Sequence, residues 1–284
     1  MQVYSVHAGL FKLDGGAMFG VVPKKIWNSL VPADDNNLCT WAMRCMVVVG
    51  GGRTVLIDCG MGTKQDAKFF GHYEPHGAFT LENSLHQHGI TPEDITDVFL
   101  THLHFDHCGG AVKRTEKGKL VPAFPNAKYW TNEKQWNWAM QPNAREKASF
   151  LKENFEPLQK HGVLHFLEEH EDLYPGFSTI WTYGHTEAMM LPVLDVHGTK
   201  IVYMADLLPS RAHIPLPYVM GYDIRPLVTI KEKEAFLKEA HQKKYHLFFE
   251  HDAEAETCEL IMTEKGIRVG ESRDLKALLA VGAH

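Results

Sequence analysis

A chain of 284 residues, 44% of them hydrophobic, has enough apolar material for a packed core and excludes a disordered or fibrous protein. A formal net charge of −6, from 29 Lys and Arg against 35 Asp and Glu, leaves no basic surface to track a nucleic-acid backbone. No apolar run approaches the ~20 residues of a bilayer span, so neither nucleic acid nor membrane is an expected partner.

The amino terminus, Met1-Gln2-Val3-Tyr4-Ser5-Val6-His7, lacks the basic region and long apolar segment of a secretory signal, which makes the cytoplasm the expected location. Gly15-Gly16 before an apolar run also suits an ordinary hairpin. Residues 40–49 and 54–58 read as strands joined by Gly50-Gly51-Gly52-Arg53, whose backbone freedom suits a hairpin turn. A helix is expected over 81–88, closed by Gly89, and Thr91-Pro92-Glu93-Asp94 has the form of a cap and first helical turn. Residues 98–101 form the next strand. The segment 130–159 is helical in pattern, with Trp130, Trp136, Trp138, Phe150 and Phe155 as core or as a pocket or subunit contact. Short strands follow at 179–182, 191–196 and 200–204, then a charged helix at 231–244, then a strand at Leu247-Phe248-Phe249. Without repeats or linkers, residues 1–284 read as one α+β domain, two sheets packed together with helices outside. The five cysteines are odd in number and widely spaced, so reduced thiols are expected.

The informative stretch follows the strand at 98–101: His102-Leu103-His104-Phe105-Asp106-His107-Cys108-Gly109-Gly110. Three imidazoles and a carboxylate within six positions are the donors that borderline ions such as Zn²⁺ take in unsaturated catalytic sites. A solvated loop would mix in Lys, Ser and Pro and would not follow Val98-Phe99-Leu100. Further ligands must come from distant strand ends, where His185, Asp206 and His251 each follow an apolar run. His72, His76, His86, His88, His161, His165 and His170 sit in polar segments and read as surface residues. Cys108 reads as a small buried residue under the loop.

In this order and spacing, the residues resemble the metallo-β-lactamase superfamily pattern His-x-His-x-Asp-His, then a Gly-His-Thr histidine, an Asp and a final His. The resemblance implies a four-layer αββα sandwich. It also implies two divalent ions: His102, His104 and His185 on one, Asp106, His107 and His251 on the other, and Asp206 bridging them. Leu56-Ile57-Asp58-Cys59-Gly60 resembles the superfamily's early Asp-containing loop that supports the site. The donor types permit zinc, manganese, iron or cobalt, with zinc the expected ion.

Within the superfamily, His-Leu-His-Phe-Asp-His-x-Gly-Gly and the segment Leu13 to Pro23 resemble the N-acyl-homoserine lactone lactonases and their quorum-quenching relatives. That likeness implies a small lactone or ester as substrate and makes a homodimer the assembly to test. Two divalent ions bring hydroxide within reach near neutral pH and polarise the carbonyl under attack, with Asp106 or a metal helping the ring oxygen leave. Known lactonases of this kind carry a tyrosine three residues after the bridging aspartate, where this chain has Asp206-Leu207-Leu208-Pro209. Tyr218, Tyr222 and His213 are the candidates to take over its role, and Met18, Phe19 and Trp27 the candidates for an acyl-chain pocket. A phosphotriesterase-like or other ester hydrolase is the alternative on the same ligands. A nuclease is disfavoured by the charge, an iron-bound electron carrier by the missing flavin domain, and a non-catalytic metal protein by ligands left without a task.

Overall fold

The computed structural model describes residues 1–281, and the chain divides into two compact units: Met1–Leu10 with Met43–Glu171, and Phe11–Ala42 with Asp172–His284. The first unit is built on strands β1 (Gln2–Asp14), β2 (Leu38–Gly50), β3 (Arg53–Ile57), β4 (Asp97–Phe99), β7 (Lys128–Thr131) and β8 (Leu164–Phe166), hydrogen-bonded in that order. Strands β5 (Val112–Arg114) and β6 (Leu120–Pro122) pair separately. The chain passes between units within β1 and within β2, so the ends of both strands belong to the second unit.

The β2–β3 hairpin closes with Gly50 opposite Arg53, and Gly51 (φ 60°) and Gly52 (φ 74°) adopt the left-handed conformation that a two-residue turn of this twist requires. Strands β3 and β4 pair in parallel with Ile57 opposite Phe99, so Asp58 and Thr101 leave the same edge of the sheet. Val47, Leu56, Val98, Leu100 and Tyr129 fill the core behind them. The expected helix at 81–88 forms over Leu81–His86, where the Thr80 side chain accepts from Asn83 N, and Thr91 with Asp94 makes a capping box on the 3₁₀ turn Pro92–Asp94.

The expected helix at 130–159 is broken. Trp130 lies in β7, and the helices Glu133–Met140 and Glu156–Lys160 are separated by a non-helical segment at 141–151. Pro142 disfavours helix at Gln141, and the Asn143 side chain accepts from the backbone N–H of Arg145 and Glu146, replacing helical bonds with a turn. Trp136, Phe150 and Phe155 are buried in the core, as a ring stripe usually is.

The second unit carries β9 (Phe177–Thr182), β10 (Met189–Val196), β11 (Thr199–Tyr203), β12 (His246–Phe248), β13 (Thr257–Thr263) and β14 (Gly266–Arg273), joined edge to edge in sequence order. All neighbours are antiparallel except β11 and β12, which run parallel because the helix Pro226–Lys243 returns the chain to the same end. The β13–β14 hairpin and most of β1 had no counterpart among the sequence expectations.

Gly15 and Gly16 do not make the hairpin that their sequence also suits. They open a short helix, Gly15–Phe19, whose first turn is capped by the Asp14 carboxylate accepting from Ala17 N. A Cβ on Gly15 would lie 2.4 Å from the Trp27 ring and 2.9 Å from the Cys39 sulfur. Gly15→Ala is therefore expected to destabilise the protein by about 1–3 kcal/mol through overpacking, measured by urea denaturation. Among the described residues, no helix is long and apolar enough to cross a membrane.

Candidate metal centre

In the first unit the centre is organised by Asp58. This buried residue sits at φ 55°, an unfavourable conformation for a non-glycine, directly after β3. Its carboxylate accepts from Thr101 N at 2.8 Å, from Thr101 Oγ1 at 2.7 Å and from His107 Nδ1 at 3.1 Å. One anion thus ties the end of β4 to the short helix Phe105–Cys108, which carries Asp106 and His107. The backbone completes the joint: Cys59 N donates to His107 O and Gly110 N to Gly60 O. A Cβ on Gly109 would come within 2.2 Å of Met61 O, and one on Gly110 within 2.2 Å of Cys59 O. The Gly-Gly pair is required by this close approach of two backbones.

Hydrogen bonding fixes the ring tautomers. Since the Thr101 hydroxyl donates to Asp58, it accepts from His102 Nδ1, 3.1 Å away, which leaves the lone pair of His102 on Nε2. His104 Nε2 lies 3.3 Å from Glu146 Oε1 and donates to it, leaving the lone pair on Nδ1. His102 Nε2 and His104 Nδ1 then face each other at 3.1 Å. Two lone pairs at that distance repel unless a cation lies between them. His107 donates from Nδ1 to Asp58 and turns Nε2 toward Asp106, 3.8 Å away.

The second unit repeats the arrangement. The parallel register sets Tyr203 opposite Phe248, and three residues beyond each strand stand Asp206 and His251. Ala205, at φ 39°, is the strained residue that turns the chain to present Asp206. His251 donates from Nδ1 to Ala42 O at 2.7 Å and places Nε2 3.2 Å from Asp206 Oδ1. His185 follows β9 and donates from Nδ1 to Asp223 at 2.8 Å, with Nε2 3.0 Å from Asp206 Oδ2. Burial opposes a charge on His185, but Asp206 and Asp223 outweigh it and raise its pKa to about 10. The loop before His185 is pinned by Glu232, which accepts from Tyr183 N and Gly184 N, and Gly184 leaves no room for a Cβ against Thr229.

All seven residues singled out as ligands are buried, each within a cluster of donors suited to a divalent ion. All five histidines have one nitrogen anchored and the other aimed at a neighbouring ligand, the arrangement that presents imidazoles to metal ions. Of the anchoring groups, Asp58 was legible by resemblance, whereas Glu146 and Asp223 were not identified because no spacing connects either to its histidine. Cys108 does not serve as a metal ligand: its thiol donates to Leu103 O, and burial pushes its pKa up to about 12.

The remaining sequence-selected residues lie in the second unit. His213 is buried, bonded through Nδ1 to Ser210 Oγ and through Nε2 to Met18 O. Burial, partly offset by the Met18 hydrogen bond, lowers its pKa to about 3, so it is a neutral, fixed ring. Phe19 stacks between it and Trp27, with ring centroids 4.7 and 5.5 Å away, and Met18, Phe19 and Trp27 are each at most 1% exposed. Tyr222 is exposed, and Tyr218 packs edge-on against Phe19. The seven histidines read as surface residues are exposed, except His165, which is half-buried against Trp130.

Buried imidazole and carboxylate sets at strand ends, with anchored tautomers, define a metal-dependent hydrolase. The pattern of the metallo-beta-lactamase superfamily matches residues 44–251, a span that takes in every candidate ligand, and the chain belongs to that superfamily. It is similar to a probable metal-dependent hydrolase from Staphylococcus aureus, with 27% identity and a TM-score of 0.87 over 96% of this chain and 97% of that one. AidC, a dizinc quorum-quenching lactonase solved with a product, N-hexnoyl-L-homoserine, shares the fold at 20% identity, with a TM-score of 0.79 over 96% and 95% of the two chains. An N-acyl homoserine lactonase from Bacillus cereus is 24% identical over 270 residues, 90% of this chain and 94% of its own length. The α+β fold expected from the sequence is the fold of this superfamily.

Proposed function

We propose that the protein opens lactone rings, with N-acyl-homoserine lactones as the leading substrate class, on a pair of divalent ions. The observation that carries the reading is the set of five histidines, each anchored through one ring nitrogen with the other turned toward a neighbouring candidate ligand, in a chain whose relatives include lactonases. His102, His104 and His185 would hold one ion, Asp106, His107 and His251 the other, and Asp206 both, with zinc the expected metal. When bound, two such ions supply a nucleophilic water near neutral pH and polarise the carbonyl oxygen. Asp106 is the group assigned to carry a proton to the departing ring oxygen. Its carboxylate is held beside His107 on the short helix, and the Nδ1 hydrogen of that ring is already given to Asp58.

Asp106→Asn is accordingly expected to lower turnover at least about 100-fold while the circular dichroism spectrum stays that of the wild type. Retained turnover would place the proton transfer elsewhere.

One observation favours a second reading. Pro209, at the position where known acyl-homoserine lactonases carry tyrosine, has no phenol, and its carbonyl accepts from His251 N. A phosphotriester or simple ester needs no such group. The deciding experiment compares a long-chain acyl-homoserine lactone, an aryl ester and a phosphotriester on one preparation. Turnover of the lactone with the highest kcat/KM supports the first reading; turnover of the phosphotriester alone replaces it with the second.

A further inference from the structure

We propose that Glu146 is a positioning residue that decides which nitrogen of His104 can bind a metal. This rests on the metal-dependent reading above. Glu146 lies in the non-helical segment between two helices and is only 3% exposed. Its two oxygens are used differently. Oε2 accepts from the Trp138 indole N–H at 2.6 Å and from the Asn143 side-chain amide at 2.8 Å, whereas Oε1 faces His104 Nε2 at 3.3 Å. Trp138 and Asn143 are donors at these atoms, so the carboxylate cannot turn away from them without stranding two N–H groups.

His104 differs from the other four histidines in its anchored nitrogen. Those four are held through Nδ1 and turn Nε2 toward a neighbouring candidate ligand. His104 is held through Nε2, so its lone pair sits on Nδ1, the atom that faces His102 Nε2. Without an acceptor at Nε2, an imidazole divides its proton between both nitrogens. With a donor there, the proton is driven onto Nδ1 and the ligand atom is lost.

A glutamine at this position supplies that donor. Its single oxygen is held at the Oε2 position by Trp138 and Asn143, which turns its amide nitrogen toward His104 Nε2. Glu146→Gln keeps the shape and reverses the tautomer. Glu146→Ala removes the anchor, leaves Trp138 and Asn143 unpaired, and lets His104 take either tautomer.

The test is titration of metal-free full-length protein with zinc alone, in competition with a chromophoric chelator, for the wild type and both variants, with melting temperatures of the metal-free proteins alongside. Glu146→Gln is expected to weaken zinc binding at one of two sites 10–100-fold, and more than Glu146→Ala does, although the alanine variant melts lower. A role in packing alone gives the opposite order for zinc, with alanine the worse, and that result overturns the proposal, as does wild-type affinity in Glu146→Gln. As a measurement free of variants, long-range ¹H–¹⁵N NMR of the metal-free wild type is expected to show His104 protonated at Nε2; protonation at Nδ1 overturns the proposal. A wild-type protein that takes up no zinc rejects the metal centre itself, a failure distinct from equal affinity in wild type and variant.

Discussion

Dialysis against a strong chelator is expected to abolish hydrolysis, and adding back a divalent ion to restore it. Active protein is expected to contain about two ions per chain by elemental analysis. The physical reason is visible in each unit separately. His102 Nε2 and His104 Nδ1 face each other with lone pairs 3.1 Å apart, and Asp206 faces two imidazoles at 3.0 and 3.2 Å. A divalent cation converts each of these contacts from repulsive or proton-dependent into coordinating. Because it binds the folded chain alone, an ion at 100 times its Kd contributes about 2.7 kcal/mol, so the chelated protein should melt several degrees lower. An active sample holding one ion or none would exclude the two-ion mechanism.

Asp58→Ala is the substitution with the largest expected effect on stability. It removes one acceptor from three buried donors: Thr101 N, Thr101 Oγ1 and His107 Nδ1. At a site with 0% exposure no water replaces the carboxylate, and the combined loss is about 3–5 kcal/mol. The same change releases His107 to rotate, and releases His102 through Thr101, so metal affinity should fall at least about 10-fold. Urea denaturation and metal analysis of one preparation check both effects. A variant within about 1 kcal/mol of the wild type would mean that the loop is held by the backbone bonds of Cys59 and Gly110 instead.

The candidate ligands were legible in the sequence for a physical reason. Each follows a short apolar strand, and a buried strand edge seldom ends in His or Asp unless that side chain has work to do. The groups behind the ligands were mostly hidden. Glu146 reaches His104 across 42 positions and Asp223 reaches His185 across 38, distances at which only tertiary structure decides who meets whom. The broken helix has the same origin: the spacing of Trp130, Trp136 and Phe155 satisfies a helix, but a proline and an asparagine turn between them direct the chain to His104. Strand β1 escaped notice because its burial pattern follows no strict alternation, and the β13–β14 hairpin because its outer residues are exposed.

The parallel pairing of β11 with β12 has a bearing on how this enzyme can vary. Asp206 and His251 are each three positions past a matched pair, Tyr203 and Phe248. Adding or deleting one residue in either tripeptide would rotate that side chain out of line with its counterpart. Relatives are therefore free to lengthen the helical crossover between the two strands, whereas these two short spacers should hold their length wherever both side chains remain.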